Sequence, residues 1–123
     1  YRPVAPIMLE KNAKYYTGQS SVHPLSRFML IDLPIVADLQ HEIAGVVHAN
    51  GTARIQTLFN RTDNPLMWDL LTILDEHYGV KALINTSFNA QGEPMVHTAD
   101  DARNAARLMQ IDALLVDGKV EDV

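Results

Sequence analysis

Cysteine is absent from the 123 residues. That excludes a disulfide framework and a thiolate-bound zinc site, and a reducing compartment suits the chain. Basic side chains are scarce as well: ten Lys and Arg stand against fifteen Asp and Glu, for a formal charge of -5. Nucleic acids and anionic membranes attract net positive surfaces, so neither is expected as a general partner, and any anion site must be local. No apolar run approaches the ~20 residues that span a bilayer. The amino terminus also lacks the order of basic region, apolar stretch and small-residue cleavage site that marks a secretory leader. A soluble, cytoplasmic protein is therefore expected. The chain opens abruptly on Tyr1-Arg2-Pro3-Val4-Ala5-Pro6, with neither methionine nor polar lead-in, and is read as a piece cut from a longer protein.

What is present points to one α/β domain. A hydrophobic content of 47% over 123 residues is enough to close a single core. Residues 4–9 are apolar but punctuated by Pro3 and Pro6, which suits an edge strand or extended arm, because proline removes a ladder donor. A short helix is expected over 10–16, turns over 18–24 and a short strand over 28–31. The apolar runs 44–48 and 53–58 flank Asn50-Gly51, a local hairpin signal. In the second run Ile55 alternates with Arg54 and Gln56, which would bury one face and present a guanidinium and an amide on the other.

The spacing of Met67, Leu70, Leu71, Leu74 and Tyr78, opened by Asn64-Pro65 and closed by Gly79, predicts a helix. Residues 80–84 then suit a buried strand running into Asn85-Thr86-Ser87-Phe88-Asn89 and a turn at Gly92. Thr98 and Asp101 form a capping-box pattern ahead of the small-residue stripe Ala102, Ala105, Ala106 and Met109. A last strand is expected over 113–116. Strands interleaved with two long helices give a mixed α/β layer fold in a single compact domain.

Several side chains invite a chemical role, each with a structural alternative. The segment Asn85-Thr86-Ser87-Phe88-Asn89 can offer amide, hydroxyl and backbone donors to phosphate or ribose oxygens, or its polar groups can simply satisfy turn backbone. Arg54 carries a planar fork suited to phosphate, or it forms an ion pair with a strand neighbour. His48 ends an apolar run and can orient a ligand or serve as a hydrogen-bonded structural residue. The five histidines show no metal-ligand spacing, and no metal site is expected. Asp100 and Asp101 fall in a first helical turn, where carboxylates favour the dipole. No phosphate-binding glycine loop, nucleophile elbow or zinc-protease motif appears.

Four segments match in order a known family: Arg2-Pro3-Val4-Ala5-Pro6, His48-Ala49-Asn50-Gly51-Thr52-Ala53-Arg54-Ile55-Gln56-Thr57, Asn85-Thr86-Ser87-Phe88-Asn89, and Gly92-Glu93-Pro94. Through them the whole chain resembles the carboxy-terminal region of the O-carbamoyltransferases that modify nodulation factors and antibiotics such as tobramycin and cephamycins. The resemblance implies a YrdC-like mixed twisted sheet with packed helices over residues 1–123. An upstream ASKHA-type domain holding iron and the acceptor would lie outside the chain. It implies ATP and carbamoyl phosphate as substrates, a carbamoyl-adenylate as intermediate, and a hydroxyl of a small-molecule or oligosaccharide acceptor as the destination. A homodimer is compatible with it.

Carried over by position, Arg54 is the catalytic residue that would contact the phosphate or the activated carbamoyl group. Asn89 would contact the nucleotide, with Asn85 and Ser87 as supporting donors. Arg2 would stand near the domain junction, and His48 and Thr52 also match the pattern. Gln91 occupies a nucleotide-binding position where many relatives have arginine or lysine. Asn50 stands where aspartate is frequent, and the G-P-R-A-L-G and R-S-I-L-A-D-type segments of the family, with their basic residues, are missing. The chain by itself is therefore expected to fold but to be inactive or to bind ligand weakly. Two rival readings are a threonylcarbamoyl-adenylate synthase, whose K-R-type and S-x-x-x-N patterns are not found, and a non-catalytic nucleotide-binding or domain-interaction module.

Overall fold

The computed structural model describes residues 4–123. Arg2, named above as a ligand contact, lies outside the described residues. In chain order the regular elements are β1 (Ala5–Leu9), α1 (Glu10–Thr17), β2 (Leu33–Pro34), β3 (Thr52–Ala53), β4 (Gln56–Leu58), α2 (Pro65–Tyr78), β5 (Leu83–Asn85), α3 (Ala99–Leu108), β6 (Ala113–Val116) and β7 (Lys119–Asp122), with 3-10 helices at Pro24–Phe28, Ala37–Val46 and Arg61–Asp63. This is an α/β chain built on small mixed and antiparallel sheets. Its described residues gather into two compact units, one ending at Thr86 and one formed by Ser87–Val123.

In the first unit β1 is the central strand of a three-stranded sheet of order β4-β1-β5, which corrects the expected edge strand or arm. It pairs in parallel with β4 from Ile7 to Leu9 and antiparallel with β5 from Ala5 to Ile7. Pro6 is thus paired on the β5 side only, and the β4 ladder begins one residue after the missing donor. All five residues of β1 are buried. Met8 joins a cluster with Ala13, Tyr16, Val22, Leu33, Ile35, Ala53 and Ile55. Ile7 and Leu9 face a second cluster with Leu58 and Leu71. An apolar strand covered on both faces is what a central strand requires.

The α2 helix forms as its caps dictate. Asn64 Oδ1 accepts from the Met67 amide at 3.1 Å, Pro65 occupies the first turn, and Gly79 ends the helix at φ 66°. Its Asp75 receives Lys11 Nζ from α1 at 2.7 Å and Lys81 Nζ at 3.2 Å. Lys11 chiefly holds that carboxyl below its usual range. Of the expected apolar stripe, Leu71 is buried, while Leu70 and Tyr78 are exposed.

Four further expectations are corrected. Residues 28–31 form no strand: His23 Nδ1 caps the Leu25 amide, Pro24 starts a 3-10 helix, and Met29 closes it at φ 56°. There the cap and the proline prevail over β-propensity. The Asn50-Gly51 turn exists, with the His48 amide donating to the Thr52 carbonyl at 2.7 Å and Gly51 at φ 79°. It joins no hairpin, however, because Ala37–Val46 is a kinked 3-10 helix, β3 pairs with β2, and β4 pairs with β1. Arg54 therefore lies between β3 and β4 rather than within a strand, although Ala53, Ile55 and Thr57 are buried as the alternation requires. Residues 80–84 contribute β5 only at their end, as an edge strand with Ile84 63% exposed.

In the second unit, α3 opens on the expected capping box. The Asp101 amide donates to Thr98 Oγ1 at 3.0 Å, and Asp101 Oδ2 accepts from the Thr98 amide. Ala105 and Ala106 are buried. The expected strand β6 pairs with β7 through Asp117 and Gly118, both at positive φ, the geometry of a tight hairpin turn. Arg103 of α3 grips Glu121 of β7 through two bonds of 2.8 Å and Asp100 through a third of 2.8 Å. Among the described residues no helix is long and apolar enough to cross a membrane.

Candidate functional site

The first unit brings His48 and Arg54 to a common point. The backbone between them folds back through the Asn50 turn, in which Asn50 Oδ1 accepts from the Thr52 amide at 3.2 Å and the Thr52 hydroxyl at 2.7 Å. Thr52 is thus a buttress of the turn. Gly51 suits the turn because its φ is positive, and a Cβ there would press on the end of the Gln40 side chain, with Nε2 at 3.0 Å. Ile55, fully buried, and Thr57 anchor the next stretch of chain, Thr57 Oγ1 lying 3.0 Å from the buried Ser26 hydroxyl. Arg54 projects outward from this anchored backbone with its side chain 55% exposed.

Both candidate donors face Asp32. Arg54 Nε and His48 Nε2 each stand 3.5 Å from Asp32 Oδ1, and the Asp32 side chain is 43% exposed. These separations exceed ordinary hydrogen-bond lengths, so the guanidinium fork remains open to a competing anion. His48 also borders an open concavity of about 270 Å³ with Gln40, His41, Ala44 and Val47. Asp32 was not among the residues expected from the sequence. Its signal was present, however, as the one polar side chain within the apolar stretch 28–36.

The Asn85 to Asn89 segment divides between the units. Asn85, at the end of β5, donates to Gln56 Oε1 and lies 3.6 Å from Met29 Sδ. Its amide is thereby tied to the residue two beyond Arg54. Ser87, Asn89 and Gln91 belong to the second unit. Asn89 Nδ2 donates to the Glu93 carbonyl at 2.9 Å and the Ala90 carbonyl at 3.3 Å, closing the turn in which Gln91 and Gly92 are exposed. Ser87 is exposed.

Other hollows lie elsewhere among the described residues. One of about 310 Å³ lies wholly in the second unit, with Glu93, His97, Asp101 and Asn104 among its lining. One of about 230 Å³ in the first unit is lined by Glu42, Pro6 and β5. Tyr15 and Tyr16 donate to Glu42 at 2.9 and 3.4 Å, and burial, aided by that carboxylate, pushes the Tyr16 phenol up to about 12. Among the described residues no group of three or more His, Cys, Asp or Glu side chains could hold a metal ion.

Residues 1–121 match the family model described as the carbamoyltransferase C-terminus. The chain belongs to that family. This carbamoyltransferase domain is 33% identical over 116 residues to nodulation protein NolNO of Sinorhizobium fredii, a match covering 94% of the chain and 17% of the relative. It is 31% identical to nodulation protein NolO of Bradyrhizobium diazoefficiens, covering 94% and 21%. With nodulation protein U of Rhizobium tropici it shares 35% identity over 92 residues, covering 75% and 15%. The carbamoyltransferase domain thus spans about a fifth of the length of the relatives it matches.

Proposed function

We propose that this chain is the carboxy-terminal domain of an O-carbamoyltransferase and that it binds carbamoyl phosphate and ATP for formation of a carbamoyl-adenylate. The carbamoyl group would then pass to a hydroxyl of a sugar-containing acceptor, such as a nodulation factor or an antibiotic. The observation that carries the reading is Arg54, a half-exposed guanidinium held by a single 3.5 Å contact and set between the buried Ala53 and Ile55. Adenylation brings two polyanions together, and their repulsion is offset only by oriented cations and donors. Arg54 supplies the cation and His48 a second donor. A YrdC-like arrangement of the domain belongs to this proposal.

The family match and the relatives' greater length support an upstream domain of the same polypeptide; in our reading that domain is of ASKHA type and holds iron and the acceptor. Leu66, Leu70 and Ile73, exposed along α2, give such a domain an apolar surface to pack upon. Alanine at Arg54 in the whole enzyme should abolish most carbamoyl transfer while leaving the melting temperature unchanged; wild-type turnover would remove the catalytic role. The isolated domain, with so few cations, should not catalyse carbamoyl-phosphate-dependent exchange of pyrophosphate into ATP.

One observation favours a second reading, a non-catalytic nucleotide-binding or domain-interaction module: the Asn85 and Asn89 amides are already occupied by protein acceptors. Calorimetric titration of ATP and carbamoyl phosphate separates the two readings. Saturable binding of both substrates that requires Arg54 belongs to the enzyme, and binding of ATP alone or of neither belongs to the non-catalytic module.

A further inference from the structure

We propose that Asp32 is a built-in counter-ion that occupies the anion position of the Arg54 and His48 site, yields it to an incoming phosphate, and so holds down the affinity of that site for anions. The proposal rests on the anion-binding reading of Arg54 and extends it to a residue that neither the motifs nor the family match singles out. Asp32 immediately precedes β2, whose Leu33 is buried in the core and paired with Ala53 of β3. Neighbouring side chains on extended backbone point to opposite sides, so anchoring Leu33 inward directs Asp32 outward, toward the residues just past β3. There a single oxygen, Oδ1, stands 3.5 Å from Arg54 Nε and 3.5 Å from His48 Nε2. One carboxylate oxygen thus marks the point at which both donors converge, where a phosphate oxygen would sit.

The pair is weakly held. Both contacts are long, and the Asp32 and Arg54 side chains are 43% and 55% exposed, so solvent screens their attraction. A phosphate dianion offers more charge and enough oxygens to engage the guanidinium fork in two parallel bonds, which a single Asp32 oxygen does not. It can displace the carboxylate, whose one oxygen makes only long contacts to the two donors. Once displaced, Asp32 stays close enough to repel the bound anion, which limits affinity and favours release.

The experiment titrates inorganic phosphate, carbamoyl phosphate and acetate into the intact chain and into Asp32→Asn, Asp32→Ser and Arg54→Ala variants, at low and raised salt. Removing one exposed like charge should tighten phosphate binding by roughly three- to tenfold in both Asp32 variants, less so at raised salt, and should tighten the binding of acetate, with its smaller charge, by less. Arg54→Ala should lose the binding. Unchanged or weaker phosphate affinity in the folded Asp32 variants, with Arg54 still required, overturns the counter-ion role and leaves the anion site standing. Undiminished binding by Arg54→Ala, or binding by no variant, overturns the anion site and the counter-ion with it.

Discussion

Arg54 in the first unit and Arg103 in the second are the same side chain in opposite situations. Arg103 has all three guanidinium nitrogens engaged: three bonds of 2.8 Å join it to Glu121 and Asp100, tying α3 to the β6-β7 hairpin, and its own pKa rises while that of Glu121 falls in response. Arg54 has one contact of 3.5 Å to a carboxylate that is itself shared with His48. The difference lies in their neighbours and not in exposure, since the Arg103 side chain is still 36% exposed. A guanidinium whose fork is filled by a bidentate carboxylate is part of the scaffold, and one left with a long, single contact can take a ligand.

The largest expected effect breaks that comparison directly. Arg54→Ala in the whole enzyme should reduce carbamoyl transfer by about 10²- to 10³-fold, the usual result of deleting one oriented transition-state donor, with no loss of thermal stability. Arg103→Ala should do the reverse, lowering the melting temperature while folded protein retains its activity. Equal losses of activity in both variants would show that the open and filled forks do not differ in role. Next in size is the support beneath the open fork. Ile55, fully buried beside Arg54, should cost about 2–5 kcal/mol of stability when cut to alanine, measured by denaturant unfolding. Smaller again is Ser26→Ala, which leaves the buried Thr57 hydroxyl without its 3.0 Å neighbour and should cost about 1–3 kcal/mol.

The scaffold around each arginine was unevenly legible in the sequence. Where a single residue type fixes the local geometry, the signal was sufficient: Asn64-Pro65 and Gly79 delimit α2, Thr98 and Asp101 cap α3, and the alternation of Ala53, Ile55 and Thr57 turns Arg54 outward. Where pairing is decided by distant residues, it was not. Pro6 argued for an edge, yet β1 is central because β4 pairs only from Ile7 onward, a register no local pattern contains. Asn50-Gly51 made its turn without its hairpin, since β2 and β1 were the better partners for β3 and β4. The Asp117-Gly118 turn, an equally plain signal, does make a hairpin, with β7 as a second strand that no expectation from the sequence includes. At the site, the family motifs led to Arg54 and His48, but Asp32 belongs to no motif and becomes visible only when tertiary pairing sets it against them.

The smallest effect sharpens the comparison from the filled side. Arg103 holds the Glu121 carboxyl below its ordinary value of 4.5. A carboxylate with a lowered folded-state pKa contributes stability that is fully present above its unfolded value and is lost as pH falls through the folded one. The stability difference between the wild type and Glu121→Gln should therefore be constant near neutrality. It should begin to shrink below about pH 4.5 and close as Glu121 itself takes up its proton. Denaturant midpoints measured across that range would show it. Raised salt should shrink the difference only slightly, because the two short bonds do not depend on long-range attraction. A difference independent of pH down to strong acid would mean that the ion pair is not what holds the hairpin to α3.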